Sequence, residues 1–308
     1  MRKTFIDTLT NLSRTNKSIM CVIGDTGYSV FEDYEKEFKD RFVNVGIAEQ
    51  NFVGFGAGLA AMGMKPYLYN VVSFMVYRAY EQIELDIAYQ ENPVVLVGVG
   101  GGHAYATAGP THHSYFDISL MRQLPNMTVV CPADPVEMKK IMLLSEHYDK
   151  PMYIRIGRSS DPVLYEKEPL IEIGKAVEIM EGENVVLVTT GKMLEEGLKA
   201  RKILRERGIN LGLASMHTVK PLDYDFIKKC VQKYDYIFTL EEHSISGGLG
   251  TAVGEVLLNF NKNVCFRKFG FPDKFAPVTG TREFLNQLYG LDGISVAESI
   301  QKIIFEHE

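Results

Sequence analysis

Residues 41–63 read Arg41-Phe-Val-Asn-Val-Gly-Ile-Ala-Glu49-Gln-Asn-Phe-Val-Gly-Phe-Gly-Ala-Gly-Leu-Ala-Ala-Met-Gly63, an apolar strand followed by a helix rich in glycine and alanine. From Ala48 to Met62 nearly every side chain is apolar or small, so we expect this helix to be buried on most sides. Glu49 is the exception, because a carboxylate in such a helix is costly to desolvate unless it is paired. It is either a helix-start glutamate that bonds first-turn amides or a buried acid directed at a ligand.

The composition of the chain limits the classes of function. With 308 residues, 46% of them hydrophobic and 23% charged, the chain has an ordinary globular make-up and the length of about two domains. A net charge of -6 without any basic run argues against a nucleic-acid partner. No apolar run approaches the roughly 20 residues of a membrane span, and the amino terminus lacks the apolar core of a signal peptide, so we expect a cytoplasmic protein without membrane association.

Strand and helix patterns alternate along both halves of the chain. In the first half a helix at 4–16 precedes strands at Ile19–Ile23, Phe42–Val45, Tyr67–Val72, Pro93–Val99, Met127–Cys131 and Pro151–Ile156, with helices between them, including one from Ser73 to Gln90. The second half repeats the pattern with strands at Asn184–Thr189, Leu211–Met216 and Tyr236–Glu241. This alternation predicts the α/β class with two consecutive, mainly parallel-sheet domains. The polar, proline-containing segment from Ser159 to Gly174 is typical of a linker, so we place the domains at 1–165 and 175–308.

Chemistry-bearing residues follow several of the predicted strands. The long glycine-rich loop from Gly98 to Ser114 carries three histidines, and Arg155 and Arg158 lie at the end of the last strand of the first half, where they are either surface charges or ligands of an anion. In a parallel sheet the loops after the strands gather at one edge, so Glu49, this loop and Arg158 should converge there. Such a cleft suits a flat heteroaromatic cofactor and a phosphorylated substrate. The Walker A, dinucleotide-binding and serine-elbow motifs are missing from the sequence.

Several short motifs carry a resemblance to a known family. The quoted segments resemble the pyrimidine-binding and carboxy-terminal halves of transketolases and deoxyxylulose-phosphate synthases, and they span nearly the whole chain: Val45-Gly-Ile-Ala-Glu49-Gln-Asn, Arg78-Ala-Tyr-Glu-Gln-Ile, Gly109-Pro-Thr-His-His-Ser-Tyr-Phe-Asp117, Ile154-Arg-Ile-Gly-Arg158 and Glu241-Glu-His-Ser-Ile-Ser-Gly-Gly-Leu-Gly. The resemblance implies a thiamine-diphosphate pyrimidine-binding fold, followed by a transketolase C-terminal-like domain. It also implies thiamine diphosphate as the cofactor.

The resemblance assigns cofactor contacts to residues of the first half. Glu49 is the carboxylate that bonds the ring nitrogen of the aminopyrimidine, and a proton held there favours the imino form that removes the thiazolium C2 proton. Phe74 and Tyr77 would pack on the pyrimidine, and Arg78 would adjoin the same site. Asp25, in the loop after the first strand, would border the thiamine.

Substrate contacts follow from the same resemblance. His112 would be catalytic, facing a hydroxyl or carbonyl of the substrate and helping its protons move, with His113 beside it in substrate binding. Arg158 would bind the phosphate of a sugar phosphate or nucleotide sugar. Transketolases usually carry an aspartate before Gly109, whereas Ala108 stands here, which changes the expected recognition of sugar hydroxyls.

The family's diphosphate-binding motifs, Gly-Asp-Gly and Asn-Asn, do not occur in this sequence. We therefore expect one half of a split enzyme, with no metal ligands of its own and with the Mg²⁺ and diphosphate held by a separate N-terminal-section subunit. A homodimer of this chain within an α2β2 heterotetramer is the expected assembly, with the apolar helix after Ala48 contributing to the interface.

The expected activity is transfer of a two-carbon ketol unit between sugar substrates. Two alternatives stay open: the beta subunit of a 2-oxo acid dehydrogenase or a decarboxylating synthase, and a non-catalytic assembly partner. The Gly109-Pro-Thr-His-His run and Arg158 favour sugars over 2-oxo acids, and the retention of Glu49 and His112 favours catalysis.

Overall fold

The computed structural model describes residues 1–158 and 161–307 of the chain, so Ser159 and Ser160, at the start of the predicted linker, and the terminal Glu308 lie outside the described residues. Two β-sheets organise the described part. The strands are, in chain order, β1 (Ile19–Ile23), β2 (Phe42–Asn44), β3 (Lys65–Val71), β4 (Val95–Val99), β5 (Thr128–Val130), β6 (Met152–Ile156), β7 (Val177–Met180), β8 (Val185–Thr189), β9 (Gly212–Ser215), β10 (Thr218–Lys220), β11 (Tyr236–Ser244) and β12 (Cys265–Phe271).

Both sheets are mainly parallel, which confirms the predicted fold class. The first has the strand order β10-β5-β6-β4-β3-β1-β2 and the second the order β12-β11-β8-β9-β7. In each sheet one edge strand is antiparallel: β10 against β5 in the first and β7 against β9 in the second. Because β10 comes from the second half of the chain, the first sheet is completed by a strand from beyond the linker.

Helices cover the sheets on both faces, and the strands between them are buried along their whole length in β1, β3, β4 and β6. The helices are α1 (Arg2–Thr15), α2 (Glu32–Glu37), α3 (Glu49–Ala61), α4 (Val72–Arg78), α5 (Tyr80–Gln82), α6 (Asp117–Gln123), α7 (Pro135–Ser145), α8 (Met193–Glu206), α9 (Tyr224–Lys233), α10 (Leu249–Leu257), α11 (Arg282–Leu288) and α12 (Gly293–His307). Among the described residues, no helix combines the length and apolarity that a membrane crossing requires.

The predicted single helix from Ser73 to Gln90 is wrong in its continuity. It is interrupted at Ala79, whose φ of -118° and ψ of 25° leave the helical region, and it resumes as α5 and a π-helix from Ile83 to Ala88. Such π segments are frequent at functional sites because they re-aim neighbouring side chains. Here the interruption directly follows Arg78.

Helix α3 is buried on one face only, so the expectation that it would be buried on most sides is wrong for this chain by itself. Gly56 packs so closely on Leu68 of β3 that a Cβ at Gly56 would lie 2.5 Å from a Leu68 methyl carbon. On the opposite face Phe55 and Met62 are exposed, the latter to 76%. The small residues of α3 therefore serve close packing on one side and leave an apolar surface on the other.

A buried carboxyl group joins the two halves of the chain. Glu137 in α7 accepts hydrogen bonds from the Ala133 N–H at 2.6 Å, from the Ser215 hydroxyl at 2.7 Å and from the Tyr165 hydroxyl. Ser215 lies in β9 of the second sheet, and Tyr165 lies within the predicted linker. Burial raises the pKa of Glu137 to about 7, although these donors oppose the shift.

The raised pKa of Glu137 predicts a pH-dependent stability. A carboxyl whose pKa is higher in the folded state stabilises the fold below its unfolded pKa, and this contribution is lost as pH rises towards 7. We expect the unfolding free energy of the wild type, relative to Glu137→Gln, to fall by up to about 1.4 kcal/mol per pH unit between about pH 4.5 and 7. Urea unfolding of both proteins from pH 4 to 8 measures this difference; two parallel curves would contradict it.

Candidate active site

Glu49 begins α3 at the carboxyl edge of the first sheet, just after the loop that follows β2. It is 8% exposed, and its Oε1 accepts a hydrogen bond from Arg78 Nη1 at 2.8 Å. Arg78 is the last residue of α4, and its side chain is half exposed. The buried acid therefore has a cationic partner that can also reach solvent, which satisfies the requirement that a buried carboxylate be paired.

Five side chains continue from this ion pair across the edge of the sheet. The Arg78 guanidinium lies 4.5 Å from the Phe74 ring centroid, and the Phe74 ring meets the His112 ring edge-on at 5.1 Å. His112 lies 5.8 Å from the Tyr105 ring, over which Arg158 sits at 4.8 Å. We call Arg78, Phe74, His112, Tyr105 and Arg158 the site row. It connects an acid at one end with a guanidinium at the other.

Glycines of the loop after β4 make this arrangement possible. Gly100 has a φ of +94°, and a Cβ there would lie 2.1 Å from a ring carbon of Tyr105. The Tyr105 ring can therefore fold back over the backbone between His112 and Arg158. The loop is closed at its base by Gly102 and Ser114, whose backbones exchange two hydrogen bonds of 3.0 and 3.1 Å.

Buried polar atoms without a hydrogen-bond partner lie around the Glu49 loop in the described part of the chain. They are Thr26 Oγ1 after β1, Asn70 Nδ2 in β3 and Ser73 Oγ in α4. Gly24 keeps this region open, because a Cβ there would lie 2.4 Å from Asn70 Nδ2. Buried polar groups are normally paired, so a concentration of unpaired ones beside a carboxylate and an aromatic ring fits a polar heteroaromatic ligand such as an aminopyrimidine.

The diphosphate end of such a cofactor has no comparable receptor here. Within residues 1–158 and 161–307, no group of three or more His, Cys, Asp or Glu side chains is arranged to hold a metal ion. The residues present fit the pyrimidine end of the cofactor only.

Tyr77 and Asp25, both predicted to contact the cofactor, lie beside the site row rather than in it. The Tyr77 hydroxyl is 3.3 Å from Ser114 Oγ and accepts from the Phe116 N–H at 3.3 Å, so it braces the histidine loop. Asp25 has a φ of +55° and exchanges hydrogen bonds of 3.0 and 3.3 Å with Asn44. It borders a separate cavity of about 150 Å³ next to α2.

His113 points away from the site row, although it was predicted to bind substrate beside His112. The ring of His113 is buried, and both of its nitrogens have partners, at the Ala106 carbonyl and the Tyr115 hydroxyl. The two neighbouring histidines thus face opposite sides of the loop. Only His112 is placed to meet a substrate.

The two arginines of the last predicted strand separate in the same way. Arg155 is buried and donates to Asp117 at 2.7 Å, so its interpretation as a surface charge or an anion ligand is wrong. Burial by itself raises the pKa of Asp117, but the Arg155 guanidinium holds that pKa below its ordinary value. Arg158, in contrast, is exposed at the end of the site row.

Sequence reasoning missed three residues of the site: Tyr105, Asn70 and Ser73. Tyr105 carried a weak signal, being the one aromatic ring inside the glycine-rich loop. Asn70 is a polar residue in an otherwise apolar strand, which is unusual enough to have been noted. Ser73 carried no signal.

Comparison with known proteins follows the same division of the chain. The model of the transketolase pyrimidine-binding domain matches residues 1–162, and that of the transketolase C-terminal domain matches residues 174–296. One of the two subunits of an apulose-4-phosphate transketolase from Phocaeicola vulgatus is 37% identical over 98% of this chain and 97% of its own. A putative transketolase C-terminal section of Methanocaldococcus jannaschii is 35% identical over 98% of this chain and 95% of its own.

A solved structure shares the whole architecture. It is a split-gene transketolase described as an inactive beta4 tetramer, with a TM-score of 0.90 and 33% identity, covering 98% of this chain and 97% of that one. Both domain models, two relatives of matching length and this structure agree, and they do so on a chain whose acid, aromatic rings and histidine lie in one site. The chain belongs to the transketolase family.

Proposed function

We propose that this chain is the pyrimidine-binding subunit of a split, thiamine-diphosphate-dependent enzyme that transfers a two-carbon ketol unit between sugar phosphates or nucleotide-linked sugars. The observation that carries the proposal is the site row, which runs without interruption from Arg78, the partner of the buried Glu49, to the exposed Arg158. One end suits a protonated ring nitrogen and the other suits a phosphate.

Thiamine diphosphate, when bound, supplies a nucleophilic carbon that carries the two-carbon unit between donor and acceptor. Glu49 would bond the pyrimidine ring nitrogen and hold a proton on it. Phe74 would pack on the pyrimidine face, and the unpaired Asn70 and Ser73 polar groups would meet its polar edges. The Arg78 contact would keep the charge of Glu49 balanced while the site fills.

The remaining residues of the row act on the substrate. His112, between Phe74 and Tyr105, would move a proton to and from a hydroxyl or carbonyl oxygen of the sugar. Tyr105 would separate the reacting end of the sugar from its phosphate, which Arg158 would bind with charge-assisted hydrogen bonds. Ala108 leaves the loop without the acidic side chain that transketolases usually place there, so hydroxyl recognition must rest on other groups.

A second polypeptide is proposed to complete the site with the diphosphate-binding domain and its Mg²⁺ ligands. Two observations support this: the described residues hold no metal-binding group, and α3 exposes an apolar face that includes Phe55 and Met62. Of the two relatives above, one is named as a transketolase subunit and the other as a C-terminal section, names that presuppose a companion chain for those proteins. We propose an α2β2 assembly in which that face of α3 contacts another subunit.

Replacing Arg158 tests the class of substrate. In the complex assembled with its companion chain, Arg158→Met should raise KM for a phosphorylated acceptor by about 10- to 100-fold, the loss of one charge-assisted hydrogen-bonding partner, and leave KM for the unphosphorylated acceptor unchanged. The assay follows formation of a ketose two carbons longer than the aldose acceptor. Arg267→Met, an exposed arginine of β12, is the matched control.

The same assay separates the alternatives. An equal change in KM with both acceptors would remove Arg158 from phosphate binding. Product formation only from a 2-oxo acid donor, with release of carbon dioxide, would favour the decarboxylating enzymes, and no turnover with any donor would favour a non-catalytic partner.

A further inference from the structure

A chain of buried polar groups connects the loop that carries His112 with the second domain. His113 Nε2 lies 3.2 Å from the Ala106 carbonyl oxygen, and His113 Nδ1 lies 3.0 Å from the Tyr115 hydroxyl. The same hydroxyl is 2.9 Å from His103 Nε2, and His103 Nδ1 is 3.3 Å from the side-chain amide of Asn286 in α11. Each of these four side chains is buried, His103 completely.

The chemistry of the ends fixes the direction of the chain. The Ala106 carbonyl can only accept, so His113 must carry its proton on Nε2, and a neutral His113 then accepts on Nδ1. The Tyr115 hydroxyl therefore donates to His113 and accepts from His103 Nε2–H. His103 Nδ1 is left as an acceptor, and Asn286 satisfies it with its N–H, which a half-turn of the amide brings forward.

Both imidazoles must stay neutral for this order to hold, since a second proton on either ring would place two donors face to face. Burial lowers the pKa of His103 to about 4, with Glu242 opposing and His113 and Arg282 reinforcing the shift. Burial also lowers the pKa of His113, against the Ala106 carbonyl and with His112. At neutral pH all four hydrogen bonds of the chain can form together.

The far end of the chain is held firmly by the second domain. The His103 ring lies 4.2 Å from the Phe271 ring and stacks on Tyr289 at 5.6 Å. Its backbone N–H donates to Glu242 at 3.0 Å, and Glu242 forms an ion pair with Arg282. His103 is thus a fixed point to which the loop can be tied.

The near end of the chain bears directly on His112. The backbone N–H groups of His112 and His113 both donate to the Gly109 carbonyl, at 3.0 and 3.2 Å. Because the His113 ring is anchored on the buried side of the loop, the backbone from which His112 projects towards Phe74 is anchored as well.

We infer that Tyr115 is a positioning residue for His112: its hydroxyl links a one-directional hydrogen-bond chain by which the second domain holds the His112 loop in register with the site row. This inference rests on the proposed function for its kinetic consequence, but not for its structural one. It gives the carboxy-terminal domain a task in catalysis, through Asn286, His103, Tyr115 and His113.

Nitrogen NMR of the full chain labelled at histidine tests the chain of hydrogen bonds without any activity. The wild type at pH 7 should show His103 and His113 as neutral Nε2–H tautomers. In Tyr115→Phe, which keeps the ring, His113 Nδ1 should take the shift of an unbonded imidazole nitrogen, and the His112 resonances should move or broaden. Tyr148→Phe removes a hydroxyl bonded to Thr128, far along the sheet, and should leave all three histidines unchanged.

Either of two NMR results would overturn the inference. One is a charged or Nδ1–H His113 in the wild type, which would break the required direction. The other is an unaltered His112 signal in Tyr115→Phe, which would show that the loop does not depend on the hydroxyl.

Kinetics of the assembled enzyme give the second readout. Tyr115→Phe should lower kcat/KM by about 10- to 100-fold through misplacement of His112, and the loss should vanish in the His112→Ala background. An equal loss in both backgrounds, or a loss no larger than that of Tyr148→Phe, would contradict positioning. If the wild-type complex transfers no two-carbon unit, the proposed function fails, and the NMR result alone decides the role of Tyr115.

Discussion

Glu49→Gln is expected to slow exchange of the cofactor's C2 proton in the assembled enzyme by about 10²- to 10⁴-fold, the usual contribution of a positioned acid or base. The substitution keeps the shape of the side chain and its contact with Arg78, while removing the group that can hold a proton on the pyrimidine nitrogen. The fold should survive, because Arg78 is half exposed and can turn to water.

Proton exchange is followed by NMR of the cofactor after quenching in acid. Glu298→Gln makes the same chemical change at an exposed position of α12 and should leave exchange at the wild-type rate. Thermal unfolding of both variants shows whether the fold is retained. Exchange at the wild-type rate in Glu49→Gln would remove this residue from the mechanism.

Much of the fold could be predicted because local signals and tertiary packing agree. The bounds of β1, α7 and α9 are those expected from the sequence, and both helices begin after an aspartate, Asp134 or Asp223, whose side chain accepts first-turn N–H groups. Short edge strands carried no such agreement. β7 alternates exposed and half-buried residues, and β10 has three residues whose strand state depends on pairing with β5, far away in the sequence.

The burial of α3 shows a different limit of sequence reasoning. Phe55, Gly58 and Met62 have the same small and apolar character as Phe52 and Gly56, yet the first three are exposed and the last two are buried. Composition indicates that a face will be covered, but it does not tell whether this chain or another one covers it.

The convergence of Glu49, Phe74, His112 and Arg158 could be anticipated, because loops that follow parallel strands meet at one edge of the sheet. The opposite directions of His112 and His113 could not. They depend on the Gly102 and Ser114 backbone pair that closes the loop, and therefore on contacts between residues distant in the sequence. The place of Tyr105 depended in the same way on the positive φ of Gly100.

Cofactor binding by the separate chain is where the split-site account makes its second large prediction. The described residues offer a carboxylate, an aromatic ring and unpaired polar groups for the pyrimidine, but no metal-binding group for the diphosphate. The lone chain should therefore bind thiamine and thiamine diphosphate with similar, weak affinity. Assembly with the companion chain and Mg²⁺ should tighten thiamine diphosphate binding by about 100-fold or more, corresponding to about 2.7 kcal/mol, and leave thiamine little changed.

Isothermal titration of the lone chain and of the co-expressed complex, each with thiamine and with thiamine diphosphate in the presence and absence of Mg²⁺, is the most direct measurement of the central claim. The account predicts a magnesium-dependent preference for the diphosphate in the complex alone. Tight, magnesium-dependent binding of thiamine diphosphate by the lone chain would contradict it.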